Sequence, residues 1–220
     1  MSTRNSHSAK RAASQRTGRR RSGPILAFAL VVVATVGVLA IRQYSGMSES
    51  IAAETGAGEN KLNIGGPFTL VDQDGQTVTE ANYSGRWLLV YFGYTYCPDV
   101  CPTSLTRNVD AIELLGDKGD LVTPVLISID PQRDTPEKLK QYVGLFNPRM
   151  VGLTGTPEQI AAVAKEYRVF YMRSPGDTPD SYVVDHSSLT YLVGPDGKVA
   201  QFFSHSASPE EIADRLKQRL

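Results

Sequence analysis

The chain has 220 residues, and its 23 basic residues balance its 23 acidic ones. That balance is uneven, because residues 43–220 carry 15 Lys and Arg against 23 Asp and Glu. An acidic excess argues against nucleic-acid binding, and we expect no nucleic-acid partner. It is compatible with cationic partners and with the attraction of metal ions.

The N-terminal part of the chain has the pattern of a membrane anchor. Residues 1–22 hold seven Lys and Arg and no acid, and residues 23–41 carry no charge at all. At about 1.5 Å per residue, a helix over 23–41 nearly crosses the roughly 30 Å hydrocarbon core. The basic segment is then expected on the cytoplasmic or matrix side, with the rest of the chain on the opposite side.

Other interpretations of this N-terminus stay open. A cleaved signal peptide usually has a shorter apolar core and a small-residue cleavage site. A mitochondrial transit peptide also fits an acid-free segment rich in Arg and Ser, and the paired arginines hint at twin-arginine export. We expect an inner-membrane protein with one span and a domain in the periplasm. The alternative is a mitochondrial inner-membrane protein that faces the intermembrane space.

Residues 42–60 are small, polar and rich in Gly, which predicts a flexible tether. Residues 61–220 are long enough for one domain with a single core. In the segment GGPFTLVDQDGQTVTEANYSG, Asp74 and Gly75 predict the turn of a β-hairpin. The apolar runs Trp87 to Phe92 and Leu121 to Ile129 are typical of strands buried on both faces.

Helices are predicted at roughly 102–115 and after three Ser/Thr-Pro-Glu sequences. The hydroxyl residue is a suitable N-cap, and proline suits the first helical position. These helices should end near Phe146, Tyr167 and Leu220, with Gln159 and Glu211 completing capping boxes at two of them. A last hairpin should join strands 189–193 and 199–203. This order predicts an α/β domain with a mixed sheet and helices on both faces.

The two cysteines of the chain, Cys97 and Cys101, lie in YTYCPDVCP, directly after the first central strand. Thiols at i and i+4 share one face of a helix, and a helix N-terminus lowers the pKa of a thiol. The pair can form a disulfide, bind a soft metal ion, or alternate between these states. A stabilising disulfide is the simplest alternative, but it would close only a very short loop.

His186, in VVDHSSLTY, is predicted to lie just before the strand that runs beside the cysteine turn. Two thiolates and an imidazole suit copper, as Cu(I) or Cu(II). Zinc is the chemical rival, but a structural zinc site needs four ligands, and only His205 could supply the fourth. We expect His205 to lie near the N-cap of the last helix and outside the site.

Several neighbours of the cysteines have two possible roles. Asp99 could tune the thiolates or simply be a solvated turn residue, and Tyr94 and Tyr96 are expected to pack around the pair. The loop DPQRDT, residues 130–135, ends a central strand, where open α/β sheets collect functional groups. A salt-bridged, capped turn is the alternative for that loop.

With GGPFTLVDQDG, YFGYTYCPDVCP, DPQRDT and VVDHSS in this order, the sequence resembles the Sco/SenC family of membrane-anchored copper proteins. The resemblance covers about residues 61–220. It implies a thioredoxin-like fold with an added N-terminal hairpin, and Cys97, Cys101 and His186 as the copper ligands.

The resemblance also implies a metallochaperone that delivers copper to the dinuclear copper A centre of cytochrome c oxidase. The copper-bearing oxidase subunit would be the recipient, with an upstream copper donor or thiol reductant as a further partner. A thiol–disulfide oxidoreductase that reduces the oxidase copper-site cysteines is the main alternative, and a copper or redox sensor is the third. For the oxidoreductase, His186 should be dispensable, because exchange needs only two cysteines.

Overall fold

A computed structural model describes residues 64–176 and 181–220. The predicted basic segment, anchor and tether, residues 1–60, lie outside these ranges. Within them, no helix has both the length and the apolar character needed to cross a membrane.

The described strands form a seven-stranded mixed sheet and a separate two-stranded sheet. The strands are β1 (Thr69–Asp72), β2 (Thr77–Thr79), β3 (Trp87–Gly93), β4 (Val122–Ser128), β5 (Val151–Thr154), β6 (Tyr171–Ser174), β7 (Val183–His186), β8 (Thr190–Val193) and β9 (Val199–Phe203). The seven-stranded order is β2-β1-β5-β4-β3-β8-β9, and the second sheet pairs β6 with β7. The helices are α1 (Val100–Glu113), α2 (Pro136–Gly144), α3 (Pro157–Glu166) and α4 (Pro209–Lys217).

The central strands β3 and β4 are parallel over seven residues, from Trp87 opposite Val122 to Gly93 opposite Ser128. Successive residues of a strand point to opposite faces. Accordingly, Leu89 joins a core cluster with residues of α1 and α4, while Val90 joins a second cluster with residues of α2 and α3. Helices therefore cover both faces of the sheet, which explains the uninterrupted apolar sequence of its central strands.

The N-terminal hairpin turns where its sequence predicts. Gly75 has a φ of 76°, and Asp72 Oδ1 accepts hydrogen bonds from the backbone N–H groups of Asp74 and Gln76 at 2.9 and 2.8 Å. The sequence pattern did not indicate that β1 also pairs antiparallel with β5. Through that pairing the hairpin extends the main sheet.

The three predicted helix caps are present. The hydroxyls of Thr135, Thr156 and Ser208 each accept a backbone N–H three residues later, with proline at the start of the helix. Gln159 completes a capping box with Thr156. The prediction of a capping box at Glu211 is wrong, because that box does not form. There the backbone N–H of Glu211 donates to Ser208 Oγ, without the reciprocal side-chain bond. The helices also end one to three residues earlier than predicted.

Two parts of the prediction around the site need correction. The first helix begins at Val100, two residues earlier than expected, so Cys101 lies within its first turn. His186 precedes β8 in the chain, as predicted, but it also belongs to a strand of its own. It ends β7, opposite Tyr171 of β6, in a two-stranded sheet that the sequence pattern did not predict.

Candidate metal and thiol site

The cysteines lie where β3 passes into α1. Asp99 is the N-cap residue of α1, although its side chain makes no capping hydrogen bond. The backbone N–H of Cys101 points at Cys97 Sγ, 3.4 Å away. Both thiols are free, with Cys97 8% exposed and Cys101 fully buried. The helix N-terminus thus directs its unpaired N–H groups at one sulfur, which stabilises a thiolate there.

The two thiols differ strongly in acidity. The hydrogen bond from the Cys101 side chain lowers the pKa of Cys97 to about 5, helped by the backbone N–H groups of Cys101 and Asp99 and by His186, and opposed by burial. The hydrogen bond to Cys97, together with burial, raises the pKa of Cys101 above its ordinary value. These opposite shifts in pKa favour a thiolate at Cys97 over a thiolate at Cys101.

This asymmetry predicts a selective reaction with a small thiol reagent such as methyl methanethiosulfonate. Because the pKa of Cys97 is lowered to about 5, its reactive thiolate is present above that pH and is lost as the pH falls through it. Mass spectrometry of the quenched reaction should show Cys97 modified at about pH 6, well below the ordinary thiol pKa of about 8.5. A Cys97→Ser chain, which keeps only Cys101, should stay unmodified at that pH. A reaction midpoint near the ordinary thiol pKa would contradict the assignment.

His186 is oriented by its own strand. Its Nδ1 lies 3.1 Å from the carbonyl oxygen of Val184, which can only accept, so Nδ1 carries the proton. The Nε2 lone pair then faces Tyr91 Oη at 3.3 Å and Cys101 Sγ at 3.7 Å. The structure therefore brings Cys97, Cys101 and the imidazole of His186 near one another, as the sequence predicts.

Among residues 64–176 and 181–220, no three Cys, His, Asp or Glu side chains are close enough to hold a metal ion as they stand. The donor types still fit copper, since two sulfurs and an imidazole nitrogen suit Cu(I) and Cu(II). His186 Nε2 is occupied by the hydroxyl of Tyr91. To bind a metal, it must leave that hydroxyl.

Tyr91 is a site residue that the sequence analysis missed. It is fully buried in β3, its hydroxyl lies 4.0 Å from Cys101 Sγ, and burial raises its pKa above the ordinary value. The signal for it was weak. Tyr91 and Gly93 share one face of β3 by strand alternation, but nothing in the sequence indicated that this face meets Cys101.

Gly93 leaves room for the Cys101 sulfur. A Cβ atom at this position would lie 2.9 Å from Cys101 Sγ and 2.8 Å from the Tyr91 ring. We expect Gly93→Ala to lower the free energy of unfolding by about 1–3 kcal/mol through overpacking, as measured in urea. Gly144→Ala is the matched control, because its Cβ meets nothing within 4 Å and it should stabilise α2 by about 0.4–1 kcal/mol. Equal stability of the two variants would contradict this packing.

The loop 130–135 is a salt-bridged, capped turn, the alternative that the sequence offered, with an Arg133–Asp130 ion pair and Thr135 as an N-cap, and it also contacts the cysteine segment. Asp134 is fully buried and accepts hydrogen bonds from the Thr95 N–H, the Thr95 hydroxyl and the Ser128 hydroxyl at 3.1, 2.6 and 2.6 Å. Thr95 lies two residues before Cys97. The loop therefore holds the cysteine segment in place.

The other candidate residues, Tyr94, Tyr96 and His205, either support the structure or lie at the surface. Tyr94 Oη accepts the backbone N–H of Val184 at 3.1 Å, which ties the cysteine segment to β7. Tyr96 is 53% exposed, so it packs less than expected. His205 is exposed, and only its carbonyl oxygen is engaged, by Arg107 of α1. It makes no hydrogen bond to the cysteines or to His186.

The sequence of this chain matches a known protein family and several of its members. The family model described as SCO1/SenC matches residues 56–220. The chain is 46% identical to Protein SenC of Rhodobacter capsulatus over 194 residues, which are 87% of each chain. It is 47% identical over 153 residues to the mitochondrial SCO1 homolog of Homo sapiens, covering 68% of this chain and half of the human protein.

Solved structures of Sco proteins are also similar to this chain. The structure of Arabidopsis thaliana ScoI with copper bound superposes with a TM-score of 0.67 at 41% identity, over 70% of this chain and 96% of that one. The structure of BsSco has a TM-score of 0.57 at 27% identity, over 73% and 94% of the two chains. It is described as having a disulfide switch and as a member of the Sco family of cytochrome c oxidase assembly proteins.

Proposed function

Since this chain belongs to the SCO1/SenC family, we propose that it is a copper metallochaperone for cytochrome c oxidase. Its cargo is copper, its ligands are Cys97, Cys101 and His186, and its recipient is the dinuclear copper A centre of the oxidase subunit. One observation carries the proposal. The Nε2 of His186 faces the sulfur of Cys101 at 3.7 Å, and the backbone N–H of Cys101 points at the sulfur of Cys97 at 3.4 Å.

The donor set suits an ion that must be bound and then released. Thiolate sulfur prefers Cu(I), and the added imidazole makes the site acceptable to Cu(II). Binding must displace the proton of Cys101, so copper affinity should rise with pH. The copper-bound Arabidopsis relative supports this choice of metal, and the description of BsSco supports oxidase assembly as the process. An upstream copper donor or thiol reductant completes the expected set of partners.

The proposal is tested by copper titration of the full-length chain, reduced and oxidised. The reduced chain should bind one copper ion, and the chain with a Cys97–Cys101 disulfide should bind none at this site, because a disulfide sulfur is not a thiolate ligand. Reduction of the oxidised sample should restore binding. Undiminished binding by the oxidised chain would exclude these cysteines as ligands and overturn the proposal.

Thiol–disulfide exchange is the second candidate, favoured by the difference in acidity between the two thiols. The Cys97 thiolate would attack one sulfur of a substrate disulfide, form a mixed disulfide and release a substrate thiolate. Cys101, after losing its proton, would attack the Cys97 sulfur and release the second substrate thiolate. Two electrons pass to the substrate, and a Cys97–Cys101 disulfide remains. The described disulfide switch of BsSco supports this alternative.

The place of action is a further part of the proposal. The seven basic residues of segment 1–22 and the uncharged segment 23–41 support an anchor in the inner membrane, with residues 61–220 on the periplasmic side. A periplasm-dependent reporter such as alkaline phosphatase, fused after Leu220, should be active and should stay with the membrane after a carbonate wash. An inactive fusion would exclude this orientation. Activity in the wash would indicate that the apolar segment is cleaved.

A further inference from the structure

The β6–β7 sheet, which ends in His186, is not paired with the main sheet. Within residues 64–176 and 181–220, β6 and β7 form backbone ladders only with each other. The cysteines, in contrast, are placed by β3 in the middle of the main sheet and by α1. The separation between His186 and the cysteines is therefore set by the short link from His186 to Thr190 of β8, which pairs with β3, and by the side-chain contacts that join the β6–β7 sheet to the rest of the domain.

Arg133 contacts both the cysteine segment and the residue that precedes β7. Its guanidinium carbon lies 3.6 Å from the ring centroid of Tyr182, which directly precedes β7. It lies 4.6 and 5.7 Å from the ring centroids of Tyr96 and Tyr94, on the cysteine segment. Its Nη1 also donates to the carbonyl oxygen of Tyr182 at 3.0 Å. One planar cation is thus in contact with the segment that carries Cys97 and with the strand that carries His186.

Asp130 holds this guanidinium in place through an ion pair. The carboxylate is fully buried, accepts from Arg133 Nε, and accepts the Tyr182 hydroxyl at 2.6 Å. Its position is itself fixed, because the preceding residue, Ile129, donates its N–H to the carbonyl oxygen of Gly93 at 2.9 Å. Arg173 of β6 adds a second cation 4.0 Å from the Tyr182 ring centroid. The cluster of Asp130, Arg133 and Tyr182 therefore connects the end of β3 to the β6–β7 sheet.

We propose that Arg133 is a positioning residue, which holds the β6–β7 sheet against the cysteine segment and thereby sets the approach of His186 to the two sulfurs. The inference rests on the proposed copper-binding function. Lysine cannot replace this role, because an ammonium is a point charge without the planar surface or the fork of donors that the three tyrosines and Asp130 engage. Arg133 should thus affect copper only through His186.

The test is a double-mutant cycle on the full-length reduced chain, titrated with Cu(II) under a competing chelator. Arg133→Lys should weaken Cu(II) binding about 10- to 100-fold, the range for loss of a group that orients a ligand. It should also shift the thiolate-to-copper charge-transfer band. In the His186→Ala background, the same substitution should change the affinity less than about twofold, because the two residues act as one unit. Arg149→Lys is the matched control, since Arg149 also has an ion pair and a carbonyl partner, Asp120 and Gly119. It should leave binding unchanged.

Each outcome decides between interpretations. Wild-type-like affinity in Arg133→Lys, or an equal loss in both backgrounds, overturns the positioning role while leaving copper binding intact. A wild-type chain that binds no copper overturns the proposed function, and this inference with it. If thermal unfolding shows that Arg133→Lys does not fold, Tyr182→Phe takes its place in the cycle. That variant removes only the hydroxyl bonded to Asp130, and it should also weaken Cu(II) binding only when His186 is present.

Discussion

Replacing His186 with alanine is expected to lower the Cu(II) affinity of the reduced chain by at least about 100-fold, the upper end of the loss caused by an orienting group alone. Cu(II) prefers imidazole and a four-fold ligand set, whereas Cu(I) is held well by two thiolates. Cu(I) affinity should therefore fall less. Disulfide exchange should stay nearly intact, because Cys97 and Cys101 are unchanged and exchange does not need an imidazole.

The same variant separates the two candidate functions in cells. If the protein delivers copper, His186→Ala should impair copper loading of the oxidase about as severely as Cys97→Ser. Oxidase activity and the copper content of purified oxidase are the measurements, and Gly144→Ala, whose added Cβ meets no atom within 4 Å, is the control. Normal loading in His186→Ala together with failure in Cys97→Ser would contradict copper delivery and favour thiol reduction.

Replacing Asp134 with alanine is expected to lower the free energy of unfolding by about 3 kcal/mol or more, since each buried donor left without an acceptor costs about 1–3 kcal/mol. Three donors lose their acceptor in this variant: the hydroxyl of Ser128, which is buried, and the N–H and hydroxyl of Thr95, which are partly buried. The carboxyl is fully buried, and this desolvation raises its pKa above the ordinary value. Because Thr95 is released, the cysteine segment should loosen as well.

Urea unfolding followed by circular dichroism measures this loss of stability. The slope of the free energy of unfolding against urea concentration should match that of the wild type, which shows that the folded and unfolded states have kept their compactness. Asp74→Ala is the matched control. The Asp74 carboxylate is 52% exposed and pairs with Lys140 at 2.7 Å on the surface, so its loss should cost less than about 1 kcal/mol. If the two aspartate variants were equally stable, the buried acceptor at Asp134 would have no structural role.

The elements that the sequence predicted well are those set by local chemistry. The turn at Asp74 and Gly75, the caps at Thr135 and Thr156, and the apolar runs of β3 and β4 each depend on residues close in sequence. Such signals act before any tertiary contact forms, so they can be recognised without it.

The elements that were missed depend on distant partners. β5 is only four residues, and its identity follows from pairing with β4 and β1. β6 and β7 pair with each other from separate stretches of the chain. Strand formation depends more on neighbouring strands than on intrinsic preference, so short segments of this kind give little local signal.

The candidate site also has features that the sequence predicted and features that it did not. The proximity of Cys101 to His186 agrees with the sequence prediction, whereas their role as copper ligands stays a prediction. Tyr91 and the contacts of Arg133 outside its own loop were not predicted, whereas its ion pair with Asp130 agrees with the salt-bridged turn that the sequence offered as an alternative. They join residues that are 95 and 49 positions apart, Tyr91 with His186 and Arg133 with Tyr182. The anchor and the tether also stay predictions, because they lie outside the described residues.

The separate β6–β7 sheet has a consequence for the kinetics of the site. Strands in the middle of a sheet exchange their amide hydrogens only through large openings, whereas a peripheral unit with few backbone partners opens locally at a lower free energy. A metal ion bound by Cys97, Cys101 and His186 would therefore bridge two cooperative units of unequal stability. Its release would need only the opening of the less stable unit. The lifetime of such a complex is then governed by a local fluctuation of β6 and β7, while β3, α1 and both cysteines keep their native structure.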